Sequence, residues 1–338
     1  MKSLFYRKLG AAQQKYDEIY ACVRAHEDSF PVEDAERDAK ILSHVLADHP
    51  ELFYTNTSMT VRGTVHRMEA FINYTYSDEE ALRVARRLDR VAEDIVDDLI
   101  DDNDTDYDKV LALHDYLKNT VEYDKRAAAA VAEDATSPAI GDAYSAVGAI
   151  LKHKCVCEGF AEAFKLLCDK VGVECWVVMG TGSSSVGRGP HAWNIVRING
   201  HYHHVDVTWD NQYASSSKIP NYAYFNLSDE EMEVDHTWDH SLYPACPHSP
   251  YNYFNVNNSL ISTKPQLEGF LYTCFLNEEA HAIFRVMSGT RLAAQIESRL
   301  SEIVGNAARG CRYPRVRGYS VSWVPEKLIY CLTPSYEV

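Results

Sequence analysis

The chain has 338 residues, of which 46% are hydrophobic and 24% are charged. This balance is typical of globular proteins and excludes wholesale disorder, and the length allows two or three domains or one core domain with extensions. The formal net charge of −16 disfavours nucleic acid and anionic membrane surfaces as partners. No stretch of about 18 apolar residues is present, so the sequence predicts no membrane span.

The N-terminal third of the chain is predicted to alternate between helices and strands. Apolar residues recur there with helical spacing in several segments, and short aromatic and β-branched runs around Gly63 favour strands. The expected elements are helices at 3–26 and 33–47, strands within 51–62 and 64–76, and a long helix from about Asp78 to Asp98.

Three residue clusters suggest a metal at first sight, but none fits a known ligand pattern. The acidic run that ends near Asp108 has Tyr107 and Leu113 where an EF-hand needs glycine and glutamate. The nine cysteines are widely scattered, which favours reduced thiols. Three histidines lie close together on a predicted strand, but they alternate between its faces and are expected to be surface or strand-edge groups. They are His201, His203 and His204.

A cysteine stands at the predicted start of a helix in the middle of the chain. After Cys157, apolar residues recur with helical spacing as far as Val171, and Gly172 is a natural stop. A helix N-terminus carries a partial positive charge and unpaired N–H groups, which favour a thiolate over a thiol and suit a developing oxyanion. Gly159 leaves room for a substrate or a strand to approach the first turn.

A predicted β-hairpin carries a histidine and an aspartate downstream of this cysteine. Segments 190–198 and 201–209 have strand character and flank Asn199-Gly200, a strong signal for a two-residue turn. In the resulting register Ile198 faces His201, Trp193 faces Asp206 and His191 faces Thr208. Asp206 is then the diagonal neighbour of His191, within reach of its imidazole.

Taken together, Cys157, His191 and Asp206 have the chemistry of a nucleophilic cysteine enzyme. Each residue alone has a simpler explanation, namely a buried core cysteine, a structural strand histidine and a carboxylate paired with a neighbouring cation. The segment 180–189, rich in glycine and serine, is predicted to be a mobile loop that either borders the substrate cleft or simply closes a long hairpin.

These residues resemble the transglutaminase-like superfamily in its bacterial, papain-like form, over about residues 106–240. The resemblance implies an α+β papain-like core in which a central helix with Cys157 packs on an antiparallel sheet with His191 and Asp206. It implies Cys157 as nucleophile, His191 as general base and acid, and Asp206 as the group that orients His191. The matching blocks are 114–117, 121–124, 142–144, 149–150, 156–161, 191–194 and 205–210.

Four further residues are candidate substrate or oxyanion groups: Tyr144, Gly159, Trp193 and Trp209. The chain departs from the family pattern at Phe160, where tyrosine is common, and at Cys155, where a small residue is usual. Regulation of Cys157 through Cys155 is less favoured than simple packing, because a bridge between such close neighbours is strained.

The C-terminal part is predicted to be a second α/β extension after a loop-like segment at 241–262. Its elements are strands or short apolar segments at Gly269–Phe275 and Ala282–Met287, a helix at Leu292–Ala307 and a terminal hairpin at Tyr319–Thr333. The predicted domains are therefore an N-terminal extension at 1–104, a catalytic core at 105–240 and a C-terminal extension at 241–338.

The predicted function is cysteine-dependent acyl transfer on a peptide or protein substrate, most simply hydrolysis of its amides, with no cofactor and no metal. One alternative is protein-glutamine cross-linking, which a dry tunnel built by Trp193 and Trp209 would favour. Another is a non-catalytic module that binds peptide or cell-wall material.

The N-terminus shows no signal peptide, which predicts a cytoplasmic protein. If a leader has been removed, a secreted or surface-anchored protein is expected instead.

Overall fold

The structure is a computed structural model and describes residues 3–64, 67–130, 138–184, 187–211, 222–311 and 315–337. The chain divides into two compact units. The first comprises Met1–Thr208 and Asn226–Ser249, and the second comprises Trp209–Phe225 and Pro250–Val338. The domain boundaries predicted at 104/105 and 240/241 stay predictions. Among the described residues, no helix is both long enough and apolar enough to cross a membrane.

The first unit contains a central helix that lies on an antiparallel sheet, as predicted. The helices along this part of the chain are α1 (Leu4–Lys8), α2 (Gln13–Arg24), α3 (Ala35–Asp48), α4 (Asp78–Leu99), α5 (Asp106–Thr120), α6 (Lys125–Ala130), α7 (Pro138–Ala143), α8 (Ala146–Lys152), α9 (Cys157–Lys170) and α10 (Asp229–Met232). The strands are β1 (Ser29–Val32), β2 (Thr55–Thr64), β3 (Arg67–Tyr74), β4 (Glu122–Tyr123), β5 (Lys154–Cys155), β6 (Cys175–Ser184), β7 (Gly187–Ile198), β8 (His201–Val205), β9 (Phe225–Leu227) and β10 (His236–Trp238).

The main sheet has the strand order β10-β6-β7-β8-β9, and α9 packs on β6 and β7. Asn194 of β7 is buried and ties the helix to the sheet. Its Nδ2 lies 2.9 Å from the carbonyl oxygen of Ala161 in α9 and 3.3 Å from that of Trp176 in β6. A buried amide that is satisfied by two backbone carbonyls is costly to displace, so the helix start is held in a fixed position over the strands.

The β7–β8 hairpin has the predicted register. Asn199 and Gly200 have positive φ angles of 48° and 85°, as a two-residue hairpin turn requires, and Ile198 pairs with His201. The predicted strand at 201–209 is wrong in its second half, however, because β8 ends at Val205 and residues 207–211 are helical. The β-branched residues there favoured a strand, but strand propensity depends strongly on tertiary context.

The described residues of the glycine-rich segment, 180–184 and 187–189, are paired strand and not the predicted loop. β6 and β7 continue their antiparallel ladder through Gly180–His191 to Ser184–Gly187. A Cβ at Gly180 would lie 2.6 Å from the ring of Trp193 and 2.4 Å from the carbonyl oxygen of Thr237. Gly180 is therefore needed because a bulky ring and a neighbouring strand fill the space beside it, and not because the chain must be mobile.

The N-terminal part of this unit forms a three-stranded sheet with the order β1-β3-β2, next to helices α1–α3. The predicted long helix is confirmed as α4, which starts with a capping box between Ser77 and Glu80. The strand pair β2 and β3 agrees with the two strands predicted around Gly63.

The second unit is a mixed helix and sheet assembly with its own core. Its strands β11 (Leu260–Ile261), β12 (Ala282–Val286), β13 (Val316–Val324) and β14 (Ile329–Tyr336) have the order β11-β12-β14-β13, and its helices are α11 (Tyr253–Val256), α12 (Lys264–Leu276) and α13 (Ile296–Gly310). The terminal hairpin is confirmed. The strand or apolar segment predicted at Gly269–Phe275 is helical, because Thr263 and Gln266 form a capping box and one helix face is buried.

We expect Gly159→Ala to destabilise the first unit by about 1–3 kcal/mol, because its Cβ would overpack the start of α9. That atom would lie 2.7 Å from both the Ala143 carbonyl oxygen and the Cys155 Cβ. Gly269→Ala is the control, since nothing lies within 4 Å of a Cβ at that exposed helical site and a gain of about 0.5–1 kcal/mol is expected. Urea unfolding measures both changes, and equal stability of Gly159→Ala and the parent would contradict the packing argument.

Candidate active site

Cys157 is the first residue of α9 and is half-buried, whereas the other eight cysteines are buried. All nine cysteines lie in the part of the chain that the structure describes, and none forms a disulfide. The thiol of Cys157 lies close enough to the side chain of His191 to raise the pKa of that imidazole. The sulfur therefore lies where the partial positive charge of a helix N-terminus and an imidazole both act on it.

His191 and Asp206 form a short hydrogen bond. His191 Nε2 lies 2.7 Å from Asp206 Oδ2, and the exposed fractions of the two side chains are 7% and 0%. Because Nε2 contacts the carboxylate, Nδ1 is the ring nitrogen that is left for the thiol. The structure thus brings together the three residues that the sequence singled out, in the order thiol, imidazole, carboxylate.

The electrostatics of this pair favour a charged imidazole and a charged carboxylate. Burial lowers the pKa of His191, but the charge of Asp206, the hydrogen bond to it and the interaction with Cys157 together raise it to about 10 from 6.5. Burial alone would raise the pKa of Asp206, yet the charge and the hydrogen bond of His191 hold that pKa well below its usual range. An ion pair buried in this way keeps its strength because little water screens it.

Trp193 packs behind His191 and is itself held by a second buried network. The two rings are stacked with centroids 5.9 Å apart, and Trp193 is 1% exposed. Trp193 Nε1 donates to His204 Nδ1 over 3.0 Å, and His204 Nε2 lies 2.9 Å from Asp229 Oδ1.

His203 and His204 are each 0% exposed, so the prediction of surface or strand-edge histidines is wrong for both. The indole hydrogen bond and the carboxylate explain how His204 is accommodated in the interior.

Two tyrosines lie next to the thiol. Burial, followed by the charges of Cys157 and Glu158, raises the pKa of Tyr144 to about 12. Burial, followed by the charge of Cys157, also raises the pKa of Tyr123. Both phenols pack against a small apolar cluster, which consists of Ala127, Ala143 and Val156. The sequence analysis did not single out Tyr123 as a site residue, although it lies in the matching block 121–124, because its strand β4 is only two residues long and carries no periodicity.

The remaining candidate residues are in different environments. Gly159 faces the backbone of Ala143 and Ser145 and the side chain of Cys155, so the chain itself occupies the space beside it. Trp209 belongs to the second unit and packs edge-on against Tyr224 with centroids 5.0 Å apart. The substrate and oxyanion roles of Tyr144, Gly159, Trp193 and Trp209 stay predictions.

Two groups of described residues could in principle hold a metal ion. They are His191 with Asp206 and His236, and His204 with Asp229 and Cys246. In the second group Trp193 donates to His204 Nδ1, so the ring proton lies on Nε2, the atom that would have to bind the ion. A metal bound there would require the ring proton of His204 to move from Nε2 to Nδ1, where it would point at the indole N–H of Trp193. The second group therefore fits a hydrogen-bonded network better than a metal centre.

Part of the chain is similar to a known family and to named proteins. Residues 93–207 match the family model described as Transglutaminase-like superfamily. Over 113 residues the chain is 33% identical to "Kyphoscoliosis peptidase" of Homo sapiens and 32% identical to that of Mus musculus, alignments that cover 31% of this chain and 16% of each relative. The chain therefore spans only a small part of the length of these relatives.

A solved structure described as "Crystal structure of a TGase" is 16% identical, with a TM-score of 0.32 over 45% of this chain and 44% of that chain. The matched residues include the helix that carries Cys157, the strand that carries His191, and Asp206 itself. The similarity to the transglutaminase-like superfamily concerns residues 93–207, about a third of the chain.

We expect the stability of the first unit to depend on pH through His191. Its pKa in the folded protein is raised from 6.5 to about 10, so its stabilising contribution is fully present below 6.5 and is lost as the pH rises through about 10. His191→Gln has no such titration, so the difference in unfolding free energy between parent and variant should shrink over this interval. Urea unfolding under reducing conditions measures it, and a difference that is constant with pH would contradict the His191–Asp206 ion pair.

Proposed function

We propose that the protein is a cysteine-dependent acyl-transfer enzyme that acts on peptide or protein amides. The observation that carries the proposal is the position of His191, which interacts with the Cys157 thiol and is hydrogen-bonded to the buried carboxylate of Asp206. A thiol, an imidazole and a carboxylate in this order form the set that activates a cysteine nucleophile. The bacterial character that the resemblance implies stays a prediction.

The proposed reaction passes through a thioester. His191 holds the proton of the Cys157 thiol, and the thiolate attacks the carbonyl carbon of the amide. The N–H groups of the first turn of α9 lie at the right end of the helix to stabilise the oxyanion that develops. His191 then gives its proton to the leaving nitrogen, and a thioester on Cys157 remains. Asp206 keeps the ring of His191 oriented throughout.

The acceptor that resolves the thioester distinguishes two functions. If His191 activates water, the enzyme is a hydrolase, the activity named in the peptidase relatives. If a primary amine enters instead, the enzyme is a transglutaminase, which is the activity that the family name denotes. The half-buried position of Cys157 beside Tyr123 and Tyr144 limits access of water and supports the second route. We favour hydrolysis, because the relatives that match in sequence carry the name peptidase.

We expect Cys157→Ala to reduce turnover by about 10³-fold or more, since it removes the proposed nucleophile. The assay offers glutamine-containing peptides and a fluorescent primary amine, and it records both amide cleavage and amine incorporation. Cys168→Ala is the matched control, because Cys168 lies on the same helix and is buried away from the imidazole. The parent and the control should turn over at similar rates.

Each outcome of this assay has a distinct meaning. Cleavage without incorporation supports the hydrolase, and incorporation supports the transglutaminase. Turnover that persists in Cys157→Ala would show that the nucleophile is wrongly assigned. Binding of the peptides without turnover in the parent would favour the non-catalytic module.

A further inference from the structure

A second histidine contacts the carboxylate of Asp206. His236 Nε2 lies 3.2 Å from Asp206 Oδ2, the same oxygen that His191 contacts at 2.7 Å. The side chains of His236 and Asp206 are both 0% exposed. His236 lies on β10, the edge strand next to β6, and is separated from Asp206 by 30 residues in the chain. Nothing in the local sequence around His236 indicates this contact.

The other nitrogen of His236 is held by a further carboxylate. His236 Nδ1 lies 2.7 Å from Asp235 Oδ1. An ionised carboxylate can only accept a hydrogen bond, so the ring of His236 is the donor wherever it bonds to one. The imidazole of His236 thus lies between the carboxylates of Asp206 and Asp235. The side chains form an alternating series of five groups: Cys157, His191, Asp206, His236 and Asp235.

The backbone fixes this arrangement independently of the side chains. His236 pairs with Gly182 of β6, and the amide of Ser183 donates to the carbonyl oxygen of Asp235 over 2.8 Å. The ring of His236 also packs edge-on against Trp193, with centroids 4.9 Å apart. The glycine-rich end of the β6–β7 hairpin thus provides the edge on which β10 places His236 behind Asp206.

We propose that His236 is a positioning residue for the reaction at Cys157, a role that rests on the function proposed above. Asp206 is completely buried, and an unpaired buried carboxylate is strongly destabilised. When His191 gives its proton to the leaving nitrogen, its own positive charge disappears. His236 then keeps a hydrogen-bond donor on Asp206 Oδ2, so the carboxylate stays paired and aligned while the thioester forms and is resolved.

This role predicts a selective loss of the chemical step. His236→Phe keeps a ring against Trp193 but removes the donor, and we expect kcat to fall by about 10- to 100-fold, the range typical of groups that orient a reacting side chain. KM should change little, because His236 is buried and does not touch the substrate. His236→Gln restores an N–H donor on a more flexible side chain, so its kcat should lie between those of His236→Phe and the parent.

The matched control is His44→Phe. His44 is a buried histidine of the same unit, 5% exposed, and it stacks on Phe5 with ring centroids 3.6 Å apart. If it retains the parent kcat while His236→Phe loses it, a general loss of stability is not the cause. A kcat for His236→Phe equal to that of the parent would overturn the proposal.

A second measurement tests the proposal without any turnover. Nuclear magnetic resonance of protein with isotope-labelled histidine should show a proton on Nε2 of His236, the nitrogen that contacts Asp206. It should also show a shift of the His191 Nε2 proton in His236→Phe but not in His44→Phe. A His236 ring with no proton on Nε2, or an unchanged His191 signal, would overturn the positioning role. If these signals appear as expected while the parent shows no amide turnover, the proposed function fails and the inferred hydrogen-bond series stands.

Discussion

The buried carboxylate of Asp206 is the group on which the rest of the site depends. It is 0% exposed and lies within hydrogen-bond distance of two imidazoles. A charge in this position is tolerated only because both partners are present, since removal of one partner of a buried ion pair leaves an uncompensated charge. The same constraint aligns His191 with Cys157, so the stability of the interior and the chemistry of the thiol have one physical origin.

Around this carboxylate, the fold supplies two supports for His191. The β7 strand carries both His191 and Trp193 on one face, and the indole behind the imidazole is fixed by His204 and Asp229. The α9 helix brings the cysteine to the imidazole from the other side and is tied to β7 by Asn194. Helix, strand and carboxylate thereby limit the freedom of the thiol–imidazole pair, which is how an enzyme reduces the cost of reaching a reactive geometry.

Local sequence patterns were sufficient to predict the parts of the site that depend on local structure. The helix after Cys157 follows from apolar periodicity, and the β7–β8 register follows from the turn at Asn199 and Gly200. The same register placed Asp206 beside His191, although β8 ends one residue before Asp206. Such features can be predicted from the periodicity of apolar residues and from the residue types that favour a tight turn.

The features that were missed depend on contacts between distant segments. The glycines at 180–189 suggested a loop, but the described residues of this segment pair as strands, and the bulk of Trp193 accounts for Gly180. His204 was expected near the surface, and it is buried because Trp193 and Asp229 satisfy both ring nitrogens. His236 reaches Asp206 only through the pairing of β10 with β6. A single sequence contains no local pattern for such pairings.

The central claim is that the imidazole of His191 activates the Cys157 thiol. The most direct test is the alkylation rate of each cysteine at neutral pH, resolved by peptide mapping, in the parent and in His191→Ala. Because Cys157 is the most accessible of the nine thiols, it would react faster than the other cysteines even without activation. Its alkylation rate is therefore compared between the two proteins and with the rate of a small-molecule thiol. We predict that Cys157 reacts at least about tenfold faster than the free thiol in the parent and loses this advantage in His191→Ala. Equal rates in the two proteins would contradict the account.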